Sequence, residues 1–161
     1  MSATMSKRPY TGIWPVAPTP FNADGSLDLE GMKRVLDLMI DQGVDGICIL
    51  ANFSEQFLLS DEEREVLTRL CLEHVAGRVP VIVTISHFAT QIVEARARLA
   101  ASLGASMLMM MPPYHGTGLR ADEVSVIEHF RAAGKAGGIP IMLQDAPLSG
   151  VQLTVGQIVR M

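Results

Sequence analysis

Five short apolar runs, each followed by a helical pattern, limit what this chain can fold into. They lie at residues 12–17, 46–50, 80–85, 106–111 and 139–143, about 25–35 residues apart. The run Gly46-Ile47-Cys48-Ile49-Leu50 has no polar alternation, which is the pattern of a strand buried on both faces. A polar loop, Ala51-Asn52-Phe53-Ser54-Glu55, follows it. Residues at the C-terminal end of such a strand are held by the sheet and point out of it. In parallel α/β proteins ligands bind there. The first run is less regular, because Pro15 removes a backbone donor from the middle of it.

Helical periodicity fills the intervals. Leu29, Met32, Leu36, Met39 and Ile40 recur at helical spacing from about Asp28 to Gln42, and Gly43 is a natural stop. Ser60-Asp61-Glu62-Glu63 reads as a capping box with acidic residues in the first turn. Its helix should stop near Gly77, further helices are predicted over about 90–103 and 121–136, and Thr154 should cap a last one that reaches Met161. Two parallel strands joined through one helix need a crossover, and such crossovers are right-handed. Five consecutive units with no sign of a strand-order switch predict the first five βα units of a parallel (β/α)8 TIM barrel, spanning residues 11–161 behind an arm at 1–10. Helices should then cover the outer face only. A five-stranded doubly wound sheet is the rival architecture, but neither G-x-G-x-x-G nor G-x-x-x-x-G-K-[ST] occurs.

Composition narrows the partners. The 161 residues carry a formal net charge of -4 with no run of Lys or Arg, which argues against nucleic acid and anionic membranes. The apolar stretch 107–113 falls far short of the ~20 residues of a membrane span. The N-terminus is polar and shows no secretory signal, and Cys48 and Cys71 sit at apolar positions. Both are therefore expected to be reduced core residues of a cytoplasmic protein, not a disulfide or a metal pair.

Several segments, taken in order, resemble the dihydrodipicolinate synthase / N-acetylneuraminate lyase family of class I aldolases. Gly12-Ile13-Trp14-Pro15-Val16-Ala17-Pro18-Thr19-Pro20-Phe21 is similar to that family's first strand and turn. Ala51–Glu55 sits where members usually have Gly-Thr-Thr-Gly-Glu, and Gly77–Ile82 resembles the entry to the third strand. Pro112-Pro113-Tyr114 matches the fourth-strand loop, and Leu143-Gln144-Asp145-Ala146-Pro147 sits where many members have Leu-Tyr-Asn-Val-Pro. Ala51–Glu55 with Gln56-Phe57, together with Gln144–Pro147, point within the family to its sugar-acid dehydratases.

The resemblance implies a barrel that binds a small 2-oxo acid at the C-terminal ends of its strands. A lysine on the sixth strand forms a Schiff base with the keto carbon, and no metal or cofactor is needed. Tyr114, Asn52 and Gln144 are the implied catalytic residues. Phe53 (through its backbone N–H), Ser54, Glu55 and His87 are candidates for substrate binding. Glu55 could equally bond the local backbone, and His87 could be an ordinary surface histidine. The family's fourth-loop tyrosine often serves a neighbouring subunit, which implies a homo-oligomer.

Two departures shape the expected function. The lysines are Lys7, Lys33 and Lys135, none at the end of a predicted strand, and the sequence stops inside the fifth helix. These 161 residues alone are thus expected to lack the Schiff-base nucleophile and to be inactive. Second, Gln144 stands where aldolases of the family place a tyrosine. A phenol exchanges protons, whereas an amide does not at useful pKa values. Cleavage of a 2-keto-3-deoxy acid needs a base for its C4 hydroxyl, but dehydration expels that hydroxyl. The expected activity is therefore that of a hydro-lyase dehydrating a 2-keto-3-deoxy sugar acid, specifically L-2-keto-3-deoxyarabonate to 2-oxoglutarate semialdehyde. A synthase or aldolase handling pyruvate and a non-catalytic partial barrel are the alternatives.

Overall fold

The computed structural model describes residues 10–113, 121–146 and 149–161. Four parallel strands form one sheet in sequential order: β1 (Ile47–Ile49), β2 (Val81–Thr84), β3 (Met107–Met110) and β4 (Ile141–Leu143). Helix α1 (Leu29–Asp41) precedes β1, and α2 (Asp61–Val75), α3 (Thr90–Ser102), α4 (Glu123–Gly137) and α5 (Val155–Arg160) follow the strands in turn. A one-turn 3₁₀ helix, η1 (Asn52–Ser54), leaves the end of β1.

The first predicted strand is a correction. Residues 12–17 make only one parallel bridge, Val16 to Cys48, beside β1. Cys48 N–H donates to Pro15 O and Ala17 N–H donates to Cys48 O, at 2.9 and 2.8 Å. Pro15 offers no N–H of its own, so the ladder does not lengthen into a regular strand. The segment still occupies the place of a first strand, on the outer edge of β1.

Register separates the two faces of the sheet. Ile47, Ile49, Val81, Val83, Leu108 and Met110 point to one side and join a core with Met32, Leu36, Leu67, Cys71, Val93, Ala97, Val126 and Phe130 of the helices. Cys48, Ile82, Met107 and Met109 point to the other side, where they meet Ala51, Trp14 and Val16 but no helix residue. The described helices thus cover one face, which is the arrangement of a barrel segment and not of a doubly wound sheet. Cys48 and Cys71 are free and buried, and burial pushes their thiols up to about 11 and about 12, respectively.

The helix starts follow the sequence. Ser60 accepts from Glu63 N–H while the Glu63 carboxylate accepts from Ser60 N–H. Asp28, Asp122 and Thr154 cap α1, α4 and α5 through their side-chain oxygens. Each such cap contributes about 1 kcal/mol.

Gly46 is required for a packing reason. It is buried, and a Cβ at this position would run into the Trp14 indole. Gly46→Ala must therefore push Trp14 away from the inner face. The substitution should destabilise the fold by about 1–3 kcal/mol, the usual effect of overpacking. Chemical denaturation measures the loss, and the emission of Trp14, the sole tryptophan, should shift as its ring moves.

Candidate active site

The C-terminal end of β1 turns sharply into η1. Leu50 and Glu55 flank the turn with φ of 58° and 57°, in the left-handed region that non-glycine residues seldom adopt. Tertiary contacts hold this conformation. The Ser54 hydroxyl donates to Ala17 O at 2.6 Å and accepts from Ala51 N–H at 3.1 Å. Thr19 Oγ1 donates to Ser54 O at 2.9 Å. From below, the Arg64 guanidinium donates to Gln56 O at 3.0 Å and to Thr84 O at 2.6 Å. The loop is therefore tied to the edge segment, to α2 and to the end of β2.

On the inner face lies a cavity of about 510 Å³. Trp14, Val16, Cys48, Ile82, Met109 and Met142 form its apolar wall. Asn52 and Gln144 bring amides to it from the ends of β1 and β4, and Phe53 flanks Asn52. Gln144 N–H continues the ladder by donating to Met110 O at 2.9 Å. Its Oε1 is buried and has no hydrogen-bond partner among the described residues. A largely apolar pocket with a few convergent polar groups is the usual form of a small-molecule site.

The sequence-predicted residues divide. Asn52, Phe53 and Gln144 share the cavity. Ser54 is not among its lining residues: it is 1% exposed, and its hydroxyl and N–H are both taken up inside the protein. Glu55 is exposed, and its N–H closes η1 on Asn52 O. Tyr114 falls outside the described residues. His87 lies in a separate groove with Phe57, Phe88, Asp61 and Arg96. There its Nδ1 accepts from Ala89 N–H at 2.9 Å and its ring stacks on Phe88. Lys33 and Lys135 sit on the outer helices α1 and α4, away from the cavity.

Two residues escaped the sequence reading. Gln56 is 3% exposed, and its Nε2 donates to Asn52 Oδ1 at 2.6 Å. Arg64 is equally buried, and burial drives its guanidinium down to about 9. On a helix surface an arginine ordinarily reads as solvated, so spacing gave no sign of it. Gln56 stood next to the recognised loop, but nothing in its type said that it turns back onto Asn52.

Residues 9–161 match the dihydrodipicolinate synthetase family, and the chain belongs to it. The four strands and five helices are accordingly part of a TIM barrel. Over 98% of its length the chain is 55% identical to the L-2-keto-3-deoxyarabonate dehydratase of Azospirillum brasilense, covering 52% of that protein. It is 35% identical over 85% of its length to the 4-hydroxy-tetrahydrodipicolinate synthase of Stenotrophomonas maltophilia, covering 45% of that enzyme. Among solved structures, the Escherichia coli K12 prophage protein YagE, in complex with pyruvate, superposes with a TM-score of 0.87 at 31% identity, over 92% of this chain and 49% of YagE. The chain spans about half the length of the relatives it matches.

Two outcomes check this geometry. Ser54→Ala removes a buried donor and leaves Ala17 O and Ala51 N–H without their partner. It should lower stability by about 1–3 kcal/mol in a denaturant titration, whereas a serine that only met substrate would leave stability unchanged. His87 should titrate below its ordinary 6.5, first because burial disfavours the imidazolium and then because Arg96 repels it. A lowered folded-state pKa means that the unfolded chain binds the proton more readily, so stability falls as pH drops through about 6.5. A pH titration followed by NMR at the His87 ring reads the midpoint, and Arg96→Met should raise it only in part.

Proposed function

We propose that this chain forms the front of a Schiff-base hydro-lyase that removes water from a 2-keto-3-deoxy sugar acid, with L-2-keto-3-deoxyarabonate as the substrate and 2-oxoglutarate semialdehyde as the product. The observation that carries the reading is the pair of amides, Asn52 and Gln144, on one apolar cavity. The 55% identity to a dehydratase of that substrate supports it. In the proposed reaction a lysine from outside these residues forms an imine at C2 of the acid. The iminium draws electrons from C3, a proton leaves there, and the C4 hydroxyl departs as water. Loss of a proton from C5 and return of one to C3 move the double bond to C4–C5, the enol so formed tautomerises to the aldehyde, and water hydrolyses the imine to free the lysine. Asn52 and Gln144 hold the departing oxygen without competing for its proton, as a phenol would. Phe53 contributes its backbone N–H and ring to the mouth of the site. Tyr114 is proposed as the proton carrier, reaching a neighbouring copy in a homo-oligomer. Glu55 and His87 are secondary candidates for contact with the acid, and Ser54 acts through the loop that it staples.

A second reading, an aldolase that forms or releases pyruvate, draws on the 35% identical synthase and on the pyruvate held by YagE. Joining residues 1–161 to the C-terminal half of the Azospirillum relative separates the two. The fusion should trap pyruvate covalently on borohydride reduction, seen by mass spectrometry. It should convert 2-keto-3-deoxy-L-arabonate to the semialdehyde with no pyruvate detected by lactate dehydrogenase coupling. The 161-residue chain by itself should trap nothing, since neither Lys33 nor Lys135 reaches the cavity and Lys7, outside the described residues, belongs to the N-terminal arm and not to a strand end in the sequence reading. Pyruvate release by the fusion would favour the aldolase reading.

A further inference from the structure

Gln56 lies behind the site, and no step of the proposed reaction uses it. Its side chain is buried, and among the described residues its one hydrogen bond runs from Nε2 to Asn52 Oδ1 at 2.6 Å. The alternative pairing, with both amides rotated, would leave the two N–H donors of Gln56 buried and unpaired. The observed pairing leaves one N–H donor fewer unpaired, and in its place one carbonyl acceptor, Gln56 Oε1, without a partner among the described residues. Orphaned acceptors are better tolerated than orphaned donors, so the observed orientation is the stable one. With Oδ1 accepting from Gln56, the Asn52 amide offers the cavity its Nδ2 donors, which make no hydrogen bond among the described residues. Gln144, which lines the same cavity, carries a buried Oε1 acceptor without a partner among the described residues.

One donor and one acceptor, both neutral, suit a hydroxyl group, which can accept from the first and donate to the second. We infer that Gln56 is a positioning residue that orients the Asn52 amide, so that Asn52 Nδ2 and Gln144 Oε1 together form a neutral hydroxyl subsite. Given the proposed function, its occupant is the hydroxyl on C4 of the sugar acid. A carboxylate would meet the Gln144 carbonyl unfavourably, so the acid's C1 end lies elsewhere in the cavity.

The test is Gln56→Glu in the fusion described above. A carboxylate only accepts, so Asn52 must turn its Nδ2 toward residue 56 and present Oδ1 to the cavity. Two acceptors then face the hydroxyl. The turnover number for 2-keto-3-deoxy-L-arabonate should fall by about 10- to 100-fold, the loss expected for one or two hydrogen bonds made in the transition state. Borohydride trapping of pyruvate, which has no such hydroxyl, should stay within about twofold of the parent. Unchanged dehydration, or an equal loss of trapping and turnover, would overturn the inference in favour of a purely structural Gln56. If Gln56→Glu impairs folding, Gln56→Met decides instead: by freeing Asn52 to rotate it should cost turnover several-fold with trapping intact, and no effect would overturn the inference. If the parent fusion cleaves the sugar acid and does not dehydrate it, the proposed function fails alone. The ratio of variant to parent on that cleavage then still reads the role of Gln56, loss supporting it and equality refuting it.

Discussion

Register in a parallel ladder decides everything else in this chain. Side chains alternate with a period of two, so a strand buried on both faces must supply two different surfaces from one apolar run. Cys48 pairs with Ile82, Ile82 with Met107, and Met109 with Met142. This row lies on the inner face, where Cys48, Ile82, Met109 and Met142 line the cavity, while Ile47, Val81, Val83, Leu108 and Ile141 face the helices or lean toward them. A slip of one residue in β2 would place Ile82 under the helices and turn Val81 and Val83 toward the cavity. The cavity wall and the helix-facing core are therefore fixed by the same hydrogen bonds.

The second constraint is electrostatic and local. Arg64 is a buried cation whose partners among the described residues are two main-chain carbonyls, with its Nε left without a hydrogen-bond partner there. Losing the hydration of a guanidinium is costly, and here it is offset by hydrogen bonds to oxygens at the end of β2 and in the loop after η1. Beside it Arg96 bonds both Asp61 and Ser86 O, and holds the Asp61 carboxyl below the usual range. Both arginines thus fasten strand ends to helix starts. They hold the rim rigid around a loop with two residues of positive φ.

The fold was legible because its signals are redundant. Apolar runs, capping residues and glycine stops agreed along most of the chain, and the helices over 29–41, 61–75, 90–102 and 123–137 match the periodicity closely. The segment at 12–17 was overread. Its apolar content fits a strand, but Pro15 interrupts the ladder that content suggests. The candidate site was legible only in part, because motif spacing finds a loop without showing which way each side chain turns. Asn52 and Gln144 lie on the cavity. Ser54 turns into the protein, since the nearest acceptor, Ala17 O, belongs to a segment 37 residues away. His87 stands at a strand end yet faces another groove, because its ring stacks on Phe88. Gln56 and Arg64 owe their places to partners remote in sequence or to a backbone turn, which residue type does not encode.

The contacts that fasten the site loop to its neighbours in the fold share a chemical asymmetry. Ser54, Thr19 and Arg64 supply the donors, and the acceptors are the main-chain oxygens of Ala17, Ser54, Gln56 and Thr84. A main-chain oxygen is present whatever side chain the residue bears. The demand on sequence therefore falls on the three donors, while Ala17 and Thr84 can change identity without moving the loop, so long as the new side chain fits. In a library of recombined barrels, the edge segment before α1 could thus be exchanged between relatives, provided that the incoming piece carries a hydroxyl at position 19. The loop would keep its position across a junction whose two sides had never been selected together.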